Sequence, residues 1–132
     1  MDQSSKIVEA KNLTKRFGDV VAVDSASFVV HKGQIISLLG PSGCGKTTTL
    51  RLIAGFERPD EGQVLISGED MLDRRPYERN VGLLFQDYAL FPHMTVAQNV
   101  AYGMKHRGFE RQEIPDRTAA KLELVKLTGL ED

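Results

Sequence analysis

The chain has 132 residues, 41% hydrophobic and 27% charged, with one cysteine and a net charge of −1. That is enough for one compact domain of ordinary soluble composition. The charge balance excludes a strong electrostatic pull on nucleic acid, so no such partner is expected, and the single cysteine excludes an internal disulfide. No apolar run approaches the ~20 residues of a membrane span, and Met1–Lys6 holds no apolar signal core, which predicts a cytosolic location.

Residues 7–16 read as a strand, with Val8, Ala10 and Leu13 among polar neighbours, and Phe17-Gly18-Asp19 is a turn signal. A second strand runs over 20–31, with Ala26, Phe28 and Val30 alternating on one face, and Lys32-Gly33 turns it back. Residues 34–39 form a short, nearly continuous apolar run of the kind buried on both faces of a sheet. Gly40-Pro41-Ser42-Gly43-Cys44-Gly45-Lys46-Thr47 follows, and fits the phosphate-loop pattern G-x-x-x-x-G-K-[ST] at every fixed position. Leu50, Ile53 and Ala54 then fall at helical spacing, and Gly55 is the stop.

Strand, glycine loop and helix start form the context that gives this motif its meaning. Phosphates are bound by backbone N–H groups converging on one point, and the glycines permit the tight, partly left-handed path that aims them. A helix N-terminus adds unpaired N–H groups and positive potential. Lys46 is expected between the β- and γ-phosphates, and the Thr47 hydroxyl on Mg²⁺. Cys44 inside the loop has two readings: a small residue tolerated where only backbone is used, or a thiol activated by the helix N-terminus and Lys46.

Beyond the helix, 58–62 is a loop and 63–67 a short strand with Val64 and Ile66 on one side. The stretch 68–80 is polar and irregular; its Arg74-Arg75 pair is either a phosphate or partner contact or a solvated loop. Val81-Gly82-Leu83-Leu84-Phe85 is a second candidate buried strand, followed by Gln86-Asp87-Tyr88 and a loop to His93. Thr95-Val96-Ala97-Gln98 is a capping-box pattern, and Val96, Val100 and Met104 predict an amphipathic helix behind it. A last helix is expected over about 116–128, with Ala120, Leu124 and Leu127 inward and Gly129 as its stop. His31, His93 and His106 are scattered and read as surface or loop residues, not metal ligands.

These motifs, in this order, resemble the N-terminal half of the ATP-binding subunit of an ABC transporter over residues 6–130. Leu13-Thr14-Lys15-Arg16-Phe17-Gly18 is similar to the A-loop, where an aromatic ring stacks on adenine; Phe17 keeps the ring of the usual tyrosine without its hydroxyl. Val23 would then pack near the nucleotide, Gly40 to Thr48 would be the Walker A loop, and Gln86 takes the Q-loop position. Pro76 to Gly82 followed by Phe85 to Pro92 is similar to bacterial importers of small solutes, closest to polyamine (spermidine/putrescine) importers, with iron, sulfate and sugar importers sharing much of it.

The resemblance implies an α/β P-loop NTPase fold of ABC type. About 6–85 would be the nucleotide-binding core with its antiparallel β subdomain, and about 86–132 the Q-loop and the start of the helical subdomain. Its implied cofactors are ATP and Mg²⁺. Phe17, Val23, Gly40, Pro41, Ser42, Gly43, Cys44, Gly45, Lys46, Thr47, Thr48 and Gln86 would touch the nucleotide, and Thr47 and Gln86 the metal. The implied partners are membrane-spanning permease subunits, a second copy in a head-to-tail dimer and, indirectly, a solute-binding protein. Such a subunit sits peripherally on the inner face of the cell membrane. The Leu-Ser-Gly-Gly-Gln signature, the Walker B strand and the switch histidine are not in these 132 residues, so the chain reads as a truncated copy that binds nucleotide without hydrolysing it. The alternatives are an ATP-binding-only fragment or another P-loop NTPase or kinase. A GTPase is disfavoured because Thr14-Lys15-Arg16-Phe17 lacks the aspartate of a guanine motif.

Overall fold

Two long strands rich in Val, Ala and Phe form the frame. In the computed structural model, which describes residues 6–132, they are Lys6–Phe17 (β1) and Val20–His31 (β2). They pair antiparallel from Phe17↔Val20 to Lys6↔His31. The two-residue turn between them is Gly18-Asp19, and Gly18 supplies the positive φ of 57° that this tight reversal needs. Glu61–Ile66 (β3) pairs antiparallel on the other side of β1, and the short Glu69–Asp70 (β4) pairs with β3. The sheet order is β2-β1-β3-β4. The signal-peptide reading of the N-terminus falls mostly on residues 1–5, outside the described residues.

One helix, Lys46–Ala54 (α1), shares a core with this sheet. Ala10 and Leu13 of β1, Val23 of β2 and Val64 of β3 meet Leu52 of α1 and Met71, all buried. The helix ends where expected: Gly55 takes φ 87°, and the N–H groups of Gly55 and Phe56 both donate to Arg51 O at 2.9 Å. Of the three expected apolar residues, Ala54 is buried and Ile53 packs against the core. Thr49, Leu52 and Ala54 are buried and Leu50 is exposed. Thr49 tolerates burial because its hydroxyl donates to Gly45 O at 2.8 Å, one turn back.

Residues 34–39 and 81–85, expected as buried strands, are not strands. A parallel strand exists only as part of a ladder, and the four-stranded sheet among the described residues includes neither segment. Ile35 and Leu39 are consequently 96% and 91% exposed.

The chain divides into two compact units, the first ending at Leu83 and the second spanning Leu84–Asp132. In the second, Val96–His106 (α2) packs against Ile114–Leu124 (α3). The capping box of α2 forms as expected: Gln98 N–H donates to Thr95 Oγ1 at 3.2 Å, and Thr95 N–H to Gln98 Oε1 at 3.0 Å. The α3 helix differs from expectation. It starts two residues earlier, and Ile114, Thr118 and Leu122 are its buried stripe, while Leu124 is 75% exposed. Its stop is Lys126 at φ 59°, not Gly129, because Leu127 N–H closes back on Leu122 O at 2.8 Å.

Candidate functional site

The glycine loop bridges the extended segment 34–39 and α1, and two of its glycines carry its shape. Gly43 and Gly45 take φ 79° and 91°. At Gly45 a Cβ would collide with the carbonyl oxygen of Ala22 in β2 and lie 3.4 Å from Val23 Cγ2. The start of α1 is therefore seated directly on the backbone of β2, a distance that only glycine allows.

This seat leaves a set of donors facing out. Gly45 caps α1 without any side-chain hydrogen bond, and the N–H groups of Lys46, Thr47 and Thr48 have no partner among the described residues. Thr47 is exposed and Thr48 half-buried. Lys46 folds its ammonium back across the loop, donating to Gly40 O and Pro41 O at 2.6 Å each and to Cys44 Sγ at 3.3 Å. Free amide donors, a helix N-terminus and one fixed positive charge converge on the loop, and this donor set fits a phosphate chain. The exposed Thr47 hydroxyl beside it fits a Mg²⁺ ligand. Gly40 and Cys44 are tightly apposed, with Cys44 Sγ 2.5 Å from where a Cβ on Gly40 would lie. Pro41, Ser42 and Cys44 are all exposed on the outer turn, which Cys44 N–H closes on Pro41 O at 3.3 Å.

Phe17 ends β1 opposite Val20. Ala22 lies two residues further along β2, about 7 Å at the strand rise, so the ring is at the same end of the hairpin as the loop seat. It is 47% exposed, and Lys15 Nζ lies 5.3 Å from its centroid. Lys15 is anchored in turn by Arg58 O at 2.9 Å and by the carboxylates of Glu57 and Asp60 at 3.9 and 3.8 Å. Val23 is buried in the core behind the loop, where it supports Gly45. The structure thus gathers Phe17, Val23 and residues 40–48 in one unit, whereas Gln86 is an exposed residue of the other.

The model of the ABC transporter family matches residues 23–132. The chain belongs to that family. Among curated relatives, a spermidine/putrescine import ATP-binding protein PotA of Rubrobacter xylanophilus is 53% identical over 124 residues, covering 94% of this chain and 33% of the relative. A Fe(3+) ions import ATP-binding protein FbpC of Escherichia coli O157:H7 is 50% identical over 125 residues, covering 95% and 36%. The chain spans about a third of the length of these curated relatives. Two solved ATP-binding cassettes share the fold. MJ0796, in a dimeric post-hydrolysis state bound to ADP and Pi, is 27% identical with a TM-score of 0.83, over 95% of this chain and 60% of that one. MJ1267 is 29% identical with a TM-score of 0.79, over 96% and 56%. The fold is that of the N-terminal part of an ABC ATP-binding domain.

Two residues of this ABC domain do structural work that periodicity did not reveal. Arg79 is 6% exposed, and its guanidinium donates to four carbonyls. These are Leu52 O at 2.9 Å and Ile53 O at 3.0 Å, at the C-terminal end of α1, with Met71 O at 2.7 Å and Arg74 O at 2.9 Å. Burial lowers its pKa, partly offset by Asp70. The second is Asn99, whose side chain binds the 91–95 backbone four times. Neither has a sequence signal beyond its place, Arg79 just after Pro76-Tyr77-Glu78 and Asn99 just after the capping glutamine. Arg74 and Arg75 are exposed and bound locally, to Glu69 at 3.8 Å and to the Tyr77 hydroxyl at 3.2 Å.

Proposed function

We propose that this chain is the nucleotide-binding part of an importer's ATP-binding subunit, with ATP and Mg²⁺ held on residues 40–48. The observation that carries the reading is the seat of Gly45 on Ala22, with the N–H groups of Lys46 to Thr48 unpartnered among the described residues and beside the Lys46 ammonium. In this reading Lys46 releases Gly40 O and Pro41 O in favour of the β- and γ-phosphates. Gly40 to Thr48 would line the phosphate chain, Thr47 would ligate the metal, and the Phe17 ring would stack on adenine, with Val23 near the nucleotide. Gln86 would offer its amide oxygen to Mg²⁺ or to the attacking water, as the resemblance implies. Bound ATP with Mg²⁺ supplies the phosphoanhydride and the divalent charge.

Around that site we propose an organisation of a nucleotide core over about 6–85 and a helical part over about 86–132, which the division after Leu83 supports. The proposed partners are membrane-spanning permease subunits, docked on the loop from Tyr88 to His93, a second copy head to tail, and indirectly a solute-binding protein. The proposed location is the inner face of the membrane; among the described residues no helix is long and apolar enough to cross it. The solute is a small one, with polyamine as the finer reading. Relatives named for polyamine and for iron are 53% and 50% identical, so uptake of each decides that point.

Titration of ATP and AMP against the folded chain and its Lys46→Ala variant tests the site. A charge-assisted contact contributes about 1.5–3 kcal/mol, so ATP affinity falls roughly ten- to a hundredfold. AMP affinity changes little. Equal losses for both nucleotides would overturn the assignment.

A further inference from the structure

The loop from Tyr88 to His93 is held in an unusual shape. Tyr88 and Ala89 both take left-handed backbone conformations, at φ 61° and 47°, without being glycine. Consecutive strained residues persist only where the surroundings fix the chain on both sides. Upstream, Tyr88 N–H closes on Phe85 O at 3.0 Å. Downstream, the work falls to one side chain of α2. Asn99 Oδ1 accepts from Phe91 N–H at 2.9 Å, while Asn99 Nδ2 donates to Phe91 O at 3.2 Å, Met94 O at 3.2 Å and Thr95 O at 2.9 Å. The half-buried amide therefore reads both backbone groups of Phe91 and clamps the chain onto the helix start. The Phe91 ring is held as well, 4.4 Å from Tyr102. Between the two anchors, Tyr88 and Leu90 are left exposed.

We propose that Asn99 is a positioning residue: its side-chain amide fixes residues 91–95 so that the 88–93 loop meets the permease in one shape. This rests on the reading of that loop as the docking segment. Asn99 itself touches neither nucleotide nor permease in this account. Its effect is to remove an ordering cost at the moment of docking.

The test uses a complete importer whose ATP-binding subunit carries this sequence. In Asn99→Ala, hydrogen exchange at the Phe91 amide rises about fivefold, the factor given by one net hydrogen bond. The amides of Val100 and Ala101 keep their exchange rates, ATP affinity is unchanged, and transport per ATP hydrolysed falls. Asn99→Asp keeps an acceptor for Phe91 N–H but turns oxygen toward three carbonyls. It gives intermediate exchange at Phe91 without restoring transport. Unchanged exchange at Phe91, or equal rises throughout α2, overturns the proposal. Leu90→Glu separates it from the reading beneath it. Intact transport in Leu90→Glu overturns the docking reading and this inference together. Transport lost in Leu90→Glu but intact in Asn99→Ala overturns the inference alone.

Discussion

Replacing Arg79 with methionine keeps the apolar stem of the side chain and removes its guanidinium. Of the four carbonyls it serves, Leu52 O and Met71 O are bound at the buried end of the fork. Ile53 O and Arg74 O are in half-buried positions that water reaches more readily. A buried acceptor left without a partner costs about 1–3 kcal/mol, so the two buried ones cost about 2–6 kcal/mol. A domain of this size is stable by about 5–15 kcal/mol, which makes the loss a large share. Near the middle of that range the melting temperature drops by about 15 °C. Near-UV circular dichroism measures the melt, and ATP titration below the transition shows whether the phosphate loop survives. Arg79→Lys restores part of the loss, since an ammonium reaches one or two of the carbonyls without the planar fork. Gly55→Ala gives an independent check. Its Cβ would meet Arg79 at Nε, Cζ and Cδ, so it costs less in an Arg79→Ala background, which removes all three atoms and leaves the φ of 87° against it. The depressed Arg79 pKa adds no dependence near neutral pH, because the unfolded chain binds more protons only in strongly alkaline solution. Melting of Arg79→Met within about 2 °C of the parent would refute the reasoning, and would mean that these carbonyls are well hydrated without the arginine.

Phe17→Ala weakens ATP binding by the ~1–3 kcal/mol of a base stacked on an aromatic ring, while Phe17→Tyr preserves it; isothermal titration with the protein shown folded decides, and unchanged affinity in Phe17→Ala would remove the stacking role. Gly45→Ala forces α1 off Ala22 and abolishes ATP binding more completely than Gly43→Ala, where a Cβ meets nothing within 4 Å; equal losses would show that φ alone matters. Glu131 accepts Gly129 N–H at 2.9 Å, and backbone hydrogen bonds hold its carboxyl below its ordinary pKa of 4.5. The folded pKa is depressed, so its contribution is present above that value and is lost as pH falls through the folded pKa. Carbon-detected titration of Glu131 should therefore show a midpoint below 4.5, with the Gly129 amide shifting in step.

Much of this architecture was legible because local chemistry and global role coincide. The hairpin turn at Gly18-Asp19, the α1 stop at Gly55 and the Thr95–Gln98 box each depend on a few adjacent residues, and each formed where the sequence placed it. Segments 34–39 and 81–85 have strand composition but no ladder, because strand formation is a property of pairs of segments. The α3 stripe was misjudged because Ile114, beside Pro115 at the helix start, was left outside the expected span. At the site, the loop was readable residue by residue, yet its seat on a β2 carbonyl was not. Backbone atoms carry no letter in a sequence. Arg79 and Asn99 escaped for a related reason: their partners are almost wholly main-chain groups.

The contact between Gly45 and Ala22 joins main chain to main chain. Exchange of the side chain at position 22 leaves its carbonyl in place, so the support of the phosphate loop is insulated from most substitutions in β2. It is vulnerable instead to register. A slip of β2 by one residue would carry the carbonyl about 3.3 Å along the strand and turn the next one to the opposite edge. The register already shifts at this point, since Arg16 pairs with Val21 and Lys15 with Val23, so Ala22 is the extra residue of a bulge two residues beyond the turn that starts at Phe17↔Val20. An insertion in that turn would therefore disable the loop from a distance, with every residue of the loop itself intact.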